Sequence, residues 1–183
     1  MLERYADDKR VSIISGRSHH AGLKFFDNQD YIFTRYAHTW GWATWKRCWD
    51  EFDIYAKDAS EFLESGGGSN LFLTDEEAEY LNKRISSLNQ GIEKEVTHSW
   101  DYQWYFTMIK NGALGIVPCK NLIKNVGLGN GTHTPASYKE ITSDEIKFPL
   151  RHPKYITVNK EYENLHFKTH IRAKQSNILT MLF

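Results

Sequence analysis

The sequence predicts an α/β fold. The chain has 183 residues, about the length of one domain, and 40% of them are hydrophobic, which is enough to build a single buried core. Short apolar runs that end in turn residues alternate with stretches in which apolar residues recur every three or four positions. The first pattern is typical of buried strands and the second of helices, so both are expected in one domain.

The first 52 residues predict two strands and an aromatic helix. Residues 11–14 form a short apolar run closed by Ser15-Gly16, and residues 31–33 form another. Residues 41–52 predict a helix because their aromatic residues share one helical stripe: Trp42, Trp45, Trp49 and Phe52. Gly41 is then expected near a helix N-terminus.

The next segment predicts an amphipathic stretch, a flexible connection and a helix. Residues 59–64 form a short amphipathic stretch, and the sequence Gly-Gly-Gly-Ser at 66–69 predicts a flexible loop. Thr74 and Glu77 fit a capping box that opens a charged, half-exposed helix running towards Leu88.

A helix followed by a strand is expected around residue 110. Ser99 is a candidate N-cap for a helix over residues 100–110, which Asn111-Gly112 would close in left-handed geometry. Residues 113–117 predict a strand stopped by Pro118. Leu122-Ile123 is a further short strand candidate.

The composition argues against several classes of partner and location. The 23 basic and 23 acidic side chains cancel, so no net field attracts nucleic acid or an anionic membrane. No apolar run approaches the roughly 18 residues of a spanning helix, and residues 1–10 lack the apolar region of a signal peptide. Two cysteines, Cys48 and Cys119, do not make a disulfide framework. A cytoplasmic protein is therefore expected, without nucleic acid or a membrane span.

The tryptophans are unevenly distributed. All six lie in two clusters: Trp40, Trp42, Trp45 and Trp49 in one, and Trp100 and Trp104 in the other. The i, i+4 pairs could simply pack inward from one helix face. Trp40 and Trp42 instead flank Gly41, and a glycine lets backbone approach a ligand closely. There, free N–H groups at a helix start would suit a phosphate, and indoles would suit the face of a sugar or base.

Asp101 is the carboxylate with the most unusual surroundings. It is expected in the first turn of a helix, between Trp100 and Trp104. The helix dipole favours its ionised form while apolar walls oppose it, so a general base active near neutral pH is one interpretation. The alternative is an ordinary helix-capping aspartate.

Three groups of histidines are candidates for metal binding. The glycine-rich segment 127–134 carries His133, whose neutral nitrogen could complete an oxygen-rich shell around a divalent metal. The alternative is that His133 is an ordinary solvent-exposed residue of a loop. His166 and His170 have the spacing of a helical metal pair without a third ligand, so a helix surface is expected. His19-His20 is expected in a loop.

Five segments, in order over about residues 5–155, resemble the acceptor half of bacterial GT-A-type, family 2-like glycosyltransferases that use nucleotide-diphosphate sugars. They are residues 11–16 (VSIISG), 31–53 (YIFTRYAHTWGWATWKRCWDEFD), 99–104 (SWDYQW), 116–134 (IVPCKNLIKNVGLGNGTHT) and 148–153 (FPLRHP). The resemblance implies a mixed sheet flanked by helices over residues 1–155, with a helical C-terminal extension over 156–183.

The resemblance also implies roles for individual residues. Asp101 is similar to the acidic residue that deprotonates the acceptor hydroxyl, and His133 to the late histidine that binds Mn²⁺ or Mg²⁺ on the donor diphosphate. The implied substrate-binding residues are Trp40, Gly41, Trp42, Trp45, Trp100, Tyr102 and Gln103. The implied partners are a nucleotide-diphosphate sugar and a carbohydrate acceptor.

The sequence departs from the family pattern at its N-terminus. Family members begin with a Rossmann-like, nucleotide-binding half that ends in an Asp-x-Asp-type metal motif, and Asp7-Asp8 lies in what is expected to be a turn before the first strand. The chain is therefore expected to be a C-terminal portion that self-associates or pairs with the missing half. A non-catalytic carbohydrate-binding module and a split-enzyme interaction domain are the alternatives.

Overall fold

Four short strands form one mixed sheet. The computed structural model describes residues 1–36, 38–72, 74–93, 100–126 and 142–172; in the third range, side chains are described to residue 88. The strands are β1 (Val11–Ser15), β2 (Tyr31–Thr34), β3 (Trp42–Thr44) and β4 (Leu114–Pro118). The strand order is β2-β4-β1-β3. β1 is parallel to β4 and antiparallel to β3, and β2 is antiparallel to β4. The predicted α/β class is confirmed, as are three of its strands.

Helices cover the sheet and pack on one another. In the described ranges they are α1 (Lys46–Trp49), α2 (Ala59–Glu64), α3 (Gly67–Leu71), α4 (Asp75–Glu93), α5 (Asp101–Lys110) and α6 (Lys160–His166), with a 3₁₀ turn at Lys24–Phe26 and a π-helical turn at Phe167–Ile171. The predicted Thr74 cap is confirmed, because the Glu77 N–H donates to Thr74 Oγ1 at 3.2 Å. Ser99 lies outside the described residues.

Helix α5 connects the sheet to the other helices. Trp104 and Met108 are fully buried against Ile13 of β1. Phe106 and Ile109 extend from another part of α5 into the largest apolar cluster, which also contains residues of α2 and α4. Helix α5 is therefore packed against the sheet on one side and against other helices on another.

The C-terminal helix is part of this core. Asn159 caps α6, since its side-chain oxygen accepts a hydrogen bond from the Tyr162 N–H at 2.9 Å. The buried Glu163 carboxylate accepts hydrogen bonds from the Thr34 hydroxyl at 3.0 Å and from the Arg35 N–H at 2.5 Å, and it forms an ion pair with the Arg35 guanidinium. Helix α6 and the π-helical turn after it lie within the segment 156–183 that is predicted to be helical, and the bonds of Glu163 tie α6 to the end of β2. Residues 173–183 lie outside the described residues.

The helix predicted over residues 41–52 is wrong. Residues 42–44 form β3, whose Trp42 pairs with Ser15 of β1, and only Lys46–Trp49 is helical. Gly41 does not begin a helix but turns the chain at φ +59°. The aromatic spacing fits a helical stripe. A helix at residues 42–44 would, however, leave the backbone N–H and C=O groups on one edge of β1 without a strand partner, and β3 supplies that partner.

Two shorter predictions are also wrong. The Gly-Gly-Gly-Ser segment forms the start of α3, where a Cβ on Gly68 would overlap the Asn82 side chain, so the glycines allow close packing on α4. Leu122-Ile123 forms no strand. Its backbone makes one bond to the sheet edge, from the Leu122 N–H to the Gly16 carbonyl at 2.9 Å, and the Ile123 side chain fills the space beside Gly41.

Candidate functional site

A cavity of about 240 Å³ opens beside the N-terminus of α5. Its wall combines one carboxylate, one guanidinium, four imidazoles and several aromatic rings. The lining residues are Arg17, His19, Tyr36, His38, Thr39, Trp40, Tyr80, Leu81, Asp101, Tyr102, Tyr105, His166, His170 and Ile171. They come from the loop after β1, the β2–β3 connection, α4, α5 and the C-terminal helix, so the cavity exists only in the folded chain.

Asp101 lies in the cavity wall at the first residue of α5. Its Oδ1 accepts a hydrogen bond from the Tyr102 N–H at 3.1 Å. The positive end of the helix dipole and this N–H group stabilise the negative charge of the carboxylate. Tyr102 follows it in the wall, so the end of α5 presents a carboxylate beside a phenol ring.

Trp40 forms the aromatic side of the cavity and is 38% exposed. The buried Arg17 side chain places its guanidinium carbon 5.4 Å from the centroid of the Trp40 ring. A cation held over an indole at this distance stabilises the orientation of both groups. Trp40 therefore offers a positioned aromatic face to a ligand.

Histidines converge on the cavity from three parts of the chain. The cluster consists of His19, His20, His38, His166 and His170. The ring centroids of His19 and His170 are 3.8 Å apart, those of His38 and His166 are 4.7 Å apart, and those of His166 and His170 are 5.0 Å apart. His166 is only 1% exposed, so its predicted position on a helix surface is wrong.

The buried imidazoles favour the neutral form. Burial lowers the pKa of His19, His20 and His166, and neighbouring histidines lower those of His19 and His166 further. A proton on His19 or His166 would face neighbouring imidazole rings at close range. These two residues therefore give the cavity neutral imidazole rings that can donate and accept hydrogen bonds.

The described residues do not form a metal centre. Within the part of the chain that the structure describes, no three His, Cys, Asp or Glu side chains are arranged to hold a metal ion. His133 and the glycine-rich segment that carries it lie outside that part. The predicted Mn²⁺ or Mg²⁺ site through His133 stays a prediction.

A second aromatic feature lies next to the cavity at the N-terminus of α5. We call it the tryptophan surface: Trp42, Trp49 and Trp100, of which Trp42 and Trp49 also contact the buried Trp104. The ring centroids of Trp42 and Trp100 are 5.4 Å apart, and those of Trp49 and Trp104 are also 5.4 Å apart. Residues of both tryptophan clusters in the sequence therefore meet in one place.

The catalytic residue Asp101 and the substrate-binding residues implied by the resemblance divide between these features. Trp40, Asp101 and Tyr102 line the cavity, whereas Trp42 and Trp100 belong to the tryptophan surface. Gly41 connects the two. Its backbone carbonyl accepts a hydrogen bond from the Gly16 N–H at 2.7 Å.

Two of the expected residues lie elsewhere. The Trp45 indole N–H donates to the Leu2 carbonyl at 3.0 Å, and Gln103 is fully buried. Neither lines the cavity. A binding role for these two side chains therefore finds no geometric support in the cavity.

Most of the cavity wall is not predictable from the sequence. Arg17, Tyr36 and Tyr105 carry no local motif, and the histidines were assigned to loops and helix surface. The only sequence signals were the adjacent His19-His20 and the i, i+4 spacing of His166 and His170. Neither signal indicates which other residues complete the wall.

Comparisons with protein-family models, with curated proteins and with solved structures find no match to this chain. No helix among the described residues combines the length and the apolar character needed to cross a membrane. The class that fold and site define is therefore an α/β protein with a mixed four-stranded sheet and an aromatic, carboxylate-bearing cavity.

Proposed function

We propose that the chain is the acceptor-side portion of a glycosyltransferase that moves a sugar from a nucleotide-diphosphate donor to a sugar hydroxyl, in polysaccharide or glycoconjugate assembly. One observation carries the proposal: Asp101 and Trp40, distant in the sequence, line the same cavity. A carboxylate that can take a proton and an indole face that can stack on a sugar ring are the two groups that an acceptor site needs.

The chemistry assigned to Asp101 is general-base catalysis. Its carboxylate takes the proton of the acceptor hydroxyl, and the hydroxyl oxygen forms a bond to the anomeric carbon of the donor sugar. The bond between that carbon and the donor phosphate oxygen breaks, and the nucleoside diphosphate leaves with the electron pair. A Mn²⁺ or Mg²⁺ ion bound through His133 would supply charge neutralisation for the diphosphate.

The size of the cavity favours the acceptor over the donor. Its volume of about 240 Å³ lies below the roughly 300–1,000 Å³ of pockets that enclose drug-sized ligands. One sugar ring is consistent with this volume, whereas a complete nucleotide sugar is not. Under the proposal, the reacting sugar of the acceptor occupies the cavity and the nucleotide binds outside it.

The decisive experiment measures nucleoside diphosphate release by the full-length protein from UDP-, GDP- and CDP-sugars with Mn²⁺ and carbohydrate acceptors. Asp101→Asn should lower kcat about 10²–10⁴-fold, the usual contribution of a general base, with an unchanged melting temperature. Asp58→Asn is the matched control, because Asp58 is an exposed carboxylate that contacts α5 through Lys110 and does not line the cavity.

Retained turnover in Asp101→Asn would overturn the base assignment. A wild-type protein that binds sugars but releases no nucleoside diphosphate from any of the three donors would instead support the carbohydrate-binding alternative. A thermal shift with the same donors, with and without Mn²⁺ and repeated on His133→Ala, tests the metal assignment separately. A metal-dependent stabilisation that survives the substitution would contradict the role of His133.

A further inference from the structure

The N-terminus of α5 separates two aromatic regions. Trp100 and Trp104, four residues apart, face the tryptophan surface, whereas Asp101 and Tyr105, also four residues apart, face the cavity. Successive residues of a helix point about 100° apart, so the two pairs lie on neighbouring faces of the same turn. The connection through Gly41 repeats this arrangement, since Trp40 lines the cavity and Trp42 joins the tryptophan surface.

The tryptophan surface is rigid and accessible. The Trp49 and Trp100 side chains are 44% and 39% exposed, and their ring centroids are 6.3 Å apart. Trp104 is fully buried beneath them, and Phe52 stacks on Trp49 with centroids 4.8 Å apart. Rings held in this way lose little conformational freedom when a ligand binds, which favours affinity.

Its chemistry fits a saccharide better than a charged ligand. The neighbouring charged pair, Lys46 and Asp50, is closed by a bond of 2.7 Å between Lys46 Nζ and Asp50 Oδ1, so these two charges largely neutralise each other. The surface itself presents indole rings, and those of Trp49 and Trp100 are exposed. Aromatic side chains of this kind combine large apolar area with a polar handle, which suits ligands that have both apolar C–H faces and hydroxyl groups.

We propose that the tryptophan surface binds the sugar units adjoining the one in the cavity, so that the acceptor is an oligosaccharide or polysaccharide rather than a single sugar. This inference rests on the proposed function, and it follows from two facts. The cavity has room for one ring, and Trp100, whose ring contacts Trp42 and Trp49, is the residue before Asp101 in the cavity wall. Under the proposal, a saccharide with one ring at Asp101 extends over Trp100 and Trp49.

Isothermal titration of the full chain with defined saccharides tests this inference. The probes are glucose and N-acetylglucosamine, against maltohexaose, cellohexaose and chitohexaose. At least one hexasaccharide should bind about tenfold or more tightly than its monosaccharide, as expected when one or two aromatic stacking contacts are added. Equal affinity for each hexasaccharide and its monosaccharide, or no hexasaccharide binding, would overturn the inference.

Two substitutions locate the effect. Trp49→Leu keeps an apolar side chain against Trp104, and Trp100→Leu keeps one against Trp42, while each removes an indole face. Each should weaken hexasaccharide binding about tenfold and leave monosaccharide binding unchanged. Tyr155→Leu is the matched control, because Tyr155 is an exposed aromatic residue outside both the cavity and the tryptophan surface. Equal loss in the control, or no loss in either tryptophan variant, would overturn the assignment.

The two proposals fail in distinguishable ways. If hexasaccharides have no advantage while Asp101→Asn abolishes turnover, the extended acceptor is wrong and the glycosyltransferase assignment stands. If Asp101→Asn retains turnover while Trp49→Leu and Trp100→Leu still weaken hexasaccharide binding, the base assignment fails and the saccharide surface stands.

Discussion

Replacing Glu163 by glutamine should lower the free energy of unfolding by about 3 kcal/mol. Glu163 is 0% exposed, and its carboxylate joins α6 to the end of β2. Oε1 accepts hydrogen bonds from the Thr34 hydroxyl at 3.0 Å and the Arg35 N–H at 2.5 Å, and Oε2 accepts one from Arg35 Nε at 2.9 Å. The Arg35 terminal NH₂ group also donates to Oε2.

The magnitude follows from what the substitution leaves behind. Glutamine has nearly the shape of glutamate, but it is neutral and turns one acceptor into a donor that faces other donors. Breaking a buried ion pair by removing one partner costs about 3–5 kcal/mol. The Arg35 side chain is 14% exposed and keeps some hydration, so the lower end of this range is expected.

Urea unfolding at pH 7 is the appropriate assay. With a slope of about 2 kcal/mol per M, a loss of 3 kcal/mol lowers the midpoint by about 1.5 M. Glu161→Gln is the control on the same helix, because Glu161 pairs with Lys24 at 3.3 Å with both side chains well exposed. An exposed pair of this kind contributes about 0.2–1 kcal/mol.

A Glu163→Gln midpoint no lower than that of Glu161→Gln would refute this reasoning. A double-mutant cycle with Arg35→Met gives a second check. Since the cost of Glu163→Gln comes largely from the guanidinium left without its anion, the double variant should be less destabilised than the sum of the single variants. Simple additivity would show that the ion pair contributes little.

The remaining predictions concern the cavity wall and the turn beside it. Burial and the neighbouring histidines hold the pKa of His166 in the folded protein well below 6.5. Below the unfolded-state pKa, the unfolded chain therefore binds a proton at His166 that the folded chain does not, and the free energy of unfolding falls as the pH falls. The decline approaches about 1.4 kcal/mol per pH unit. Urea unfolding at pH 7.5, 6.0 and 5.0 should show a smaller decrease in the free energy of unfolding for His166→Phe than for the unmodified protein. An equal decrease would show that His166 is not the group responsible. Gly41→Ala should destabilise the fold by about 1–3 kcal/mol more than Gly22→Ala. Both glycines have positive φ, at +59° and +76°, but only at Gly41 would a Cβ overlap Ile123. Equal melting temperatures of the two variants would show that the overlap relaxes without cost.

Local patterns predicted most elements because their physical causes are local. The apolar run at residues 11–14 became β1, and the run at 113–117 became β4, both in the middle of the sheet. The candidate N-cap Ser99 and the turn at Asn111-Gly112 predict a helix over 100–110, and the helix begins at Asp101 and ends at Lys110. For each of these segments, the residues of the segment itself indicate whether it is a strand or a helix.

The segment after Gly41 shows where local reasoning fails. Its aromatic residues fit a helical stripe, but Trp42, Trp49 and Trp104 come together through a strand and a four-residue helix instead. The exposed edge of β1 offers hydrogen-bond partners to residues 42–44. That edge forms only when β1 and β4 pair, so no window of the sequence around Gly41 contains the information.

The sequence by itself determined the α/β class, the positions of most strands and helices, and Asp101 and Trp40 as candidate site residues. Only the tertiary structure decided that these two residues line one cavity and that His19, His38 and His166 complete its wall. The reason is physical. Periodicity and capping act over a few residues, and their signals are therefore visible in the sequence. The cavity instead depends on contacts between segments more than a hundred residues apart, such as the bonds from Glu163 to Thr34 and Arg35 that hold the last helix against the sheet.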